Sequence, residues 1–262
     1  MSGATFIESR TNPLIVRLRR LAQDATAYRR DSQVWIEGEH LCSAWRAHGG
    51  QVSQAVVTDS AWAEDATLRA LAVGARHTAV VPAALFKSLS ALGSPARLGF
   101  LVELPSPASL DPHVATVVLD RLQDAGNVGS ILRSAAAFGT LQVLAIKGSA
   151  GLWSPKVLRA GMGAHFGLRL VEGLDPSDLD ALQVPLVATS SHEGHDLPRA
   201  PIPEPCAWVL GNEGQGVSED LLQRCQLRVR IPQPGGEESL NVAAAAAVCL
   251  YESARQSLRT AQ

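Results

Sequence analysis

Chemistry in this chain concentrates in three stretches. The first runs Asn127-Val128-Gly129-Ser130-Ile131-Leu132-Arg133. The second is Leu210-Gly211-Asn212-Glu213-Gly214-Gln215-Gly216. The third starts at Ile231-Pro232-Gln233-Pro234-Gly235 and ends at Ser239-Leu240-Asn241-Val242, ahead of an alanine run. The last two are glycine-rich turns leaving short apolar strands, and the third feeds a helix. A turn without Cβ atoms lets a flat ligand lie against the backbone, and N–H groups at the mouth of a turn or helix can bond its polar edge. The pattern fits a pocket for a small, planar, partly polar molecule. It fits two ordinary strand-to-helix connections as well. Arg133 lies under two turns beyond Asn127 on a helix starting there, and its long side chain can reach back. A guanidinium stays protonated, so Arg133 is a fixed cation and not a base. Asn127, Ser239 and Asn241 are also good helix caps in their own right.

The elements that must position these residues alternate along the chain. Asn12-Pro13 opens a helix, with Leu14, Val16 or Leu18, Leu21 and Ala22 at helical spacing. Strands are expected over 33–38, 52–58, 77–81 and 98–104, with helices over 39–48, 61–74 and 82–92, which describes an α/β/α sandwich. Three prolines and two serines within 105–112 mark a linker. The organisation is therefore a first domain over 1–104, a linker over 105–113 and a second domain over 114–262. Ala115 to Asp120 is dense enough in apolar residues for a buried parallel strand. Further strands are expected over 141–146, 168–171, 185–190, 207–210 and 227–231. Helices are expected from Asn127 to Gly139, over 154–160, 176–182 and 219–225, and from 239–241 to about 258. Both halves are thus α/β. Gly161-Met162-Gly163-Ala164-His165-Phe166 imitates a dinucleotide fingerprint but has Phe166 at the third glycine position and follows a helix, which speaks against a nicotinamide oxidoreductase.

The chain has 262 residues, 46% of them apolar, enough for one large or two medium cores. The net charge of −2 does not announce a polyanionic partner, but Arg17, Arg19, Arg20, Arg29 and Arg30 face only Asp24 between residues 14 and 30, a basic arm suited to phosphate. A solvated helix face carries such a run equally well. Cys42, Cys206, Cys225 and Cys249 form no C-x-x-C pair and read as reduced thiols of a cytoplasmic protein. No apolar run suggests a membrane span, and residues 1–12 lack a secretory apolar core. The loop Ser191-His192-Glu193-Gly194-His195-Asp196 has too few ligands for a strong metal site, so none is expected.

Order and spacing of the three stretches resemble the signature motifs of the SpoU (TrmH) branch of the SPOUT RNA methyltransferases, over about residues 114–255. The first 105 residues resemble the L30e-like substrate-binding domain attached to many members, mainly through Tyr28-Arg29-Arg30 and Trp35-Ile36-Glu37-Gly38. One departure is Asp124-Ala125-Gly126-Asn127, where the motif often reads Asp-Pro-Gly-Asn; losing the proline frees one φ angle. The resemblance implies a C-terminal trefoil-knot domain with a mostly parallel sheet, a homodimer through that domain, and methyl transfer from S-adenosylmethionine to a ribose 2′-hydroxyl. It implies catalytic or orienting roles for Arg133, Asn127, Glu213, Ser239 and Asn241. Gly211, Ile231 and Leu240 would hold the cofactor through their backbone, with Thr189, Leu210 and Gly214 as neighbours. Arg17, Arg20, Arg29 and Arg30 would meet RNA, with 23S ribosomal RNA favoured over transfer RNA. A transfer RNA enzyme and a non-catalytic RNA-binding protein with the same fold are the alternatives.

Overall fold

Strands buried on both faces need parallel neighbours and helical cover, and the dense apolar runs of this chain obtain both. The computed structural model describes residues 4–90, 96–190, 193–235 and 239–260, with the side chains of 259 and 260 left aside. Two units form: residues 1–106 with Trp153–Phe166, and Pro107–Leu152 with Gly167–Gln262.

The first unit contains β1 (Thr5–Phe6), β2 (Gln33–Glu37), β3 (Gln54–Thr58), β4 (His77–Val81) and β5 (Leu98–Glu103), in the order β1-β4-β3-β5-β2. β1, β4 and β3 run parallel, while β5 is antiparallel to β3 and β2. β1 is an addition to the expected strands: two exposed residues paired through backbone alone. The helix Pro13–Gln23 starts as expected, with Asn12 accepting from the Leu14 N–H. It buries Ile15, Leu18, Leu21 and Ala22, whereas Val16 is exposed and Leu14 only half-buried. The helix expected over 61–74 is two, Asp59–Glu64 and Ala66–Val73. Asp65 is extended between them, and its carboxylate caps the second by accepting from Thr67 and Leu68. The helix expected over 82–92 spans Ala83–Lys87, and residues 91 and 92 lie outside the described residues. The segment Trp153–Phe166, expected in the second domain, packs with this unit: the Phe166 ring meets Trp45 edge-on at 5.1 Å.

The second unit contains β6 (Thr116–Leu119), β7 (Gln142–Ile146), β8 (Arg169–Leu174), β9 (Leu186–Ser190), β10 (His195–Asp196), β11 (Ala207–Leu210) and β12 (Leu227–Arg230). Their order is β10-β12-β9-β11-β6-β7-β8, and every pair is parallel. β10 falls in the stretch expected to be loop; its backbone pairs with Val229 and Arg230. The segment 176–182 is a 3-10 helix, Pro176–Ala181. From β6 the chain goes one way across the sheet to β7 and β8, and later returns on the other side at β11. In open parallel sheets such a switch of direction leaves a crevice at the carboxyl ends of the strands, where ligands bind. The last helix, Val242–Thr260, packs against the helix Ala125–Ala137. Buried Trp208 ties it to the sheet, its Nε1 donating to Ser253 Oγ at 2.9 Å. No helix among the described residues is long and apolar enough to cross a membrane.

All four cysteines are free; three are buried and Cys225 is half-buried. Burial pushes the Cys206 and Cys249 thiols up to about 12 and Cys225 up to about 11. Thiolate is the reactive form. Alkylation of the native protein at pH 8 should therefore be substoichiometric, and denaturation should expose all four thiols. Rapid native labelling of any one of them would contradict this packing.

Candidate cofactor and active site

Building the site starts at the exit of β6. Asp120 is fully buried, a costly place for a carboxylate unless it is hydrogen-bonded. Its Oδ2 accepts from the Ser218 N–H at 2.6 Å and its Oδ1 from Arg121 Nε at 2.9 Å. The Arg121 carbonyl accepts from Asn212 Nδ2 at 2.9 Å, and Asn212 Oδ1 accepts from the N–H groups of Gly214 and Gln215. Asn212 and Gly216 exchange two backbone hydrogen bonds. The turn closes so tightly that a Cβ on Gly211 would stand 2.1 Å from Gly216 C and Val217 N. Glycine is required there by space, not by φ.

The helix Ala125–Ala137 is capped by Asp124, whose carboxylate accepts from the Asn127 N–H at 2.7 Å. Asn127 is therefore inside the helix and its side chain is free for other work. Its Nδ2 donates to Glu213 Oε1 at 3.2 Å, and its Oδ1 accepts from Asn241 Nδ2 at 3.0 Å. Asn241 also caps the last helix by accepting from Ala243 and Ala244. One asparagine thus joins the three motifs.

Between the second and third motifs lies a cavity of about 550 Å³. Thr189, Gly211, Gly214, Ile231 and Leu240 wall it, and Glu213, Ser239 and Asn241 reach it. Leu210 lies beneath the wall, 1% exposed, with its carbonyl accepting from the Asp120 N–H. Asn127 and Arg133 are not wall residues. Arg133 stands on the exposed stripe Gly126, Ser130, Arg133 and Ala137, and its guanidinium has no ion pair or hydrogen bond among the described residues.

Asp120 and Arg121 look in sequence like a strand end and a loop, and Asn212 shows no role of its own within its motif. Sequence reasoning also passed over Gln233, a wall residue whose Oε1 is buried without a hydrogen-bond partner. A polar side chain between two prolines in an otherwise apolar strand exit is the signal that could have found it. In the first unit, Arg20 pairs with Asp31 and Arg30 with Asp24. The arm is therefore less basic than the count over 14–30 suggests, because Asp31 lies just past that window. The Thr26 N–H and hydroxyl, with Arg30, hold the Asp24 carboxyl below its ordinary value. Arg17 donates to Gln33 Oε1, and Arg29 lies over the Tyr28 ring. No group of three or more His, Cys, Asp or Glu is placed to hold a metal among the described residues; Ser191 and His192 of the histidine loop lie outside them. Asp196 instead pairs with Arg230.

A parallel α/β unit with a glycine-walled cavity at its strand ends is an architecture in which small nucleotide-like cofactors are commonly bound. Residues 115–251 match the SpoU rRNA Methylase family, and the chain belongs to that family. An uncharacterized tRNA/rRNA methyltransferase of Synechocystis is 33% identical, covering 97% of this chain and 95% of its own. The 23S rRNA (guanosine(2553)-2′-O)-methyltransferase RlmP of Bacillus subtilis is 32% identical over 82% of this chain and 86% of its own. The crystal structure of the SpoU methyltransferase AviRb from Streptomyces viridochromogenes with its cofactor AdoMet superimposes with a TM-score of 0.84, at 26% identity, covering 94% of this chain and 98% of that one.

The packing at the second motif makes a paired prediction. Gly211→Ala must displace backbone and should cost on the order of 1–3 kcal/mol in chemical denaturation. Gly214→Ala, whose added Cβ would meet only Asn212 Oδ1 at 3.7 Å, should stay within about 0.5 kcal/mol of the parent. Equal effects would show that the turn is not closed as described.

Proposed function

We infer that this chain is an S-adenosylmethionine-dependent RNA methyltransferase that modifies a ribose 2′-hydroxyl of ribosomal RNA. The observation that carries the reading is the cavity at the second and third motifs, tied by Asn127 to the helix that bears Arg133. The cavity fits the cofactor: its volume is within the range of small-molecule sites, about 300–1,000 Å³, and its glycine wall admits a flat ring. Gln233 Oε1 offers a buried acceptor without a partner among the described residues.

When bound, the cofactor supplies a methyl group already activated for in-line transfer to an oxygen. Backbone at Gly211, Ile231 and Leu240 holds it, with Thr189, Leu210 and Gly214 around them. The Gln233 amide accepts from one of its N–H groups. Glu213 and Asn241 keep the two turns together through Asn127, and Ser239 stands at the cavity mouth toward substrate. Arg133, a permanent cation without a partner among the described residues, binds the RNA phosphate. Its charge favours ionisation of the neighbouring 2′-hydroxyl, and in this reading a phosphate oxygen accepts the proton. A 2′-hydroxyl acceptor separates RNA from DNA.

The finer parts of the proposal rest on surface and sequence pattern. The last helix exposes Val248, Tyr251 and Leu258 on one side, which suits a homodimer through the second domain, residues 114–262, with its carboxyl-terminal segment threaded as a trefoil knot. The first domain, L30e-like, grips RNA with Arg17, Arg20, Arg29 and Arg30, and free thiols suit the cytoplasm.

Calorimetry with S-adenosylhomocysteine and an RNA methylation assay test this. Arg133→Ala should keep product affinity and lose about 10²–10³-fold in turnover; a wild-type rate would remove Arg133 from the chemistry, and absence of any binding by the parent protein would remove the function. Gln233→Met should weaken S-adenosylhomocysteine about tenfold, the size of one lost hydrogen bond. An unchanged affinity would mean that the amide makes no contact.

A further inference from the structure

The first unit has a cavity of its own, at one edge of its sheet. Gln33 faces Glu103, and Gln54 faces both Leu101 and His77. The starts of β2, β3 and β4 and the end of β5 therefore share that edge. A polar chain crosses it. Arg17 Nη1 donates to Gln33 Oε1 at 3.4 Å, Gln33 Nε2 donates to Glu103 Oε1 at 3.0 Å, and Ser53 Oγ donates to the same Oε1 at 3.0 Å. Glu103 Oε2 accepts nothing among the described residues.

Beside this chain is a cavity of about 480 Å³, walled by Trp45, Gln51, Ser53, Gly74, Arg76 and Glu103. The Trp45 ring is already fixed, its Nε1 donating to the Gln51 carbonyl at 3.0 Å, so binding against it costs little further ordering. Arg76 is exposed, and its guanidinium has no carboxylate or carbonyl partner among the described residues. Behind the Gly74 wall, Arg46 Nη2 is buried without a hydrogen bond, 2.9 Å from where a Cβ on Gly74 would stand. The cavity thus offers an aromatic wall, a carboxylate with one oxygen open, and an unpaired cation.

These groups ask for one ligand chemistry. An ionised carboxylate only accepts, so the ligand must present N–H groups to Glu103 and an anion to Arg76. Among the four RNA bases, guanine alone places two adjacent N–H donors, N1–H and the 2-amino group, on its Watson–Crick edge. Adenine, cytosine and uracil each put an acceptor next to their donor, which the carboxylate would repel. Bases splayed out of loops are read in this way, by stacking and by their Watson–Crick edges.

We propose that this cavity receives one unpaired guanosine of the RNA, its Watson–Crick edge on Glu103, its ring against Trp45 and its phosphate on Arg76. The site is separate from the methyl-transfer cavity and rests on the reading of the protein as an RNA enzyme. It makes the first unit a base-reading module as well as a basic surface.

The test uses the full chain and fluorescein-labelled single-stranded oligoribonucleotides, UUGUU, UUAUU and UUIUU, followed by anisotropy. Inosine lacks only the 2-amino group. UUGUU should bind at least about tenfold tighter than UUAUU, with UUIUU between them, because guanine brings two N–H groups toward the open Oε2 whereas the adenine ring nitrogen is repelled, and a hydrogen bond to a charged group is worth about that much. Glu103→Gln should erase the preference and leave UUAUU binding unchanged. Arg76→Ala should weaken all three alike and flatten the salt dependence. Equal binding of UUGUU and UUAUU, a preference that survives Glu103→Gln, or no binding at millimolar oligonucleotide would each overturn the proposal. S-adenosylhomocysteine calorimetry on the same preparations separates the two readings. Product binding without base preference removes only the guanosine subsite. Base preference without product binding keeps the subsite and removes methyl transfer.

Discussion

One side chain ties the three motifs of the candidate site together. Asn127 bonds Glu213, 86 residues on, and Asn241, 114 residues on. A primary amide is the group for this, because it donates through nitrogen and accepts through oxygen at once. A carboxylate would face Glu213 with like charge, and a hydroxyl would be too short to span both turns. Asp124 is what frees it: by capping the helix, it takes the task that Asn127 would otherwise perform. Asn241 carries two loads, holding Asn127 and capping the last helix. The alanine-rich helix, the cavity wall and the helix of Arg133 are thereby fixed against one another.

A second constraint sits under the first. Buried Asp120 has to be satisfied, and it is satisfied by the Ser218 N–H and by Arg121. Both partners belong to the glycine turn or touch it, through Asn212 and Gln215. Parallel strands bring the exits of β6, β9, β11 and β12 to one edge, and backbone polar groups there are free of the sheet ladder. Glycine at 211 then lets the turn fold flat onto Gly216. The order of causes runs from apolar strands, to a shared edge, to a buried carboxylate that closes the turn, to an amide that joins it to the helix of Arg133.

Much of this was legible. Asn12-Pro13 begins a helix, Gly139 ends one with φ +81, and the apolar runs at 115–120 and 207–210 lie in central parallel strands. The three motifs foretold the cavity because the residue types that chemistry needs at turns are few. What escaped had no periodic signature. β1 and β10 are two-residue edges held by backbone pairing. Asp65 interrupts an apolar period that alone suggests one helix, because it both stops a helix and caps the next. Asp120 and Asn212 act through partners 98 and 91 residues away, and no local pattern shows that. The packing of Trp153–Phe166 with the first unit and the pairing of Arg20 with Asp31 are likewise facts of tertiary structure.

The most direct measurement is a double-mutant cycle across the amide bridge, read as S-adenosylhomocysteine affinity. The variants are Asn127→Ala, Asn241→Ala and the pair. If the bridge holds the cavity closed, either single change breaks it, and the double variant should bind almost as well as the weaker single, with a coupling of about 1 kcal/mol or more. Additivity within about 0.5 kcal/mol would contradict the account, because the two asparagines would then serve the cofactor independently and the three segments would be held together by something else.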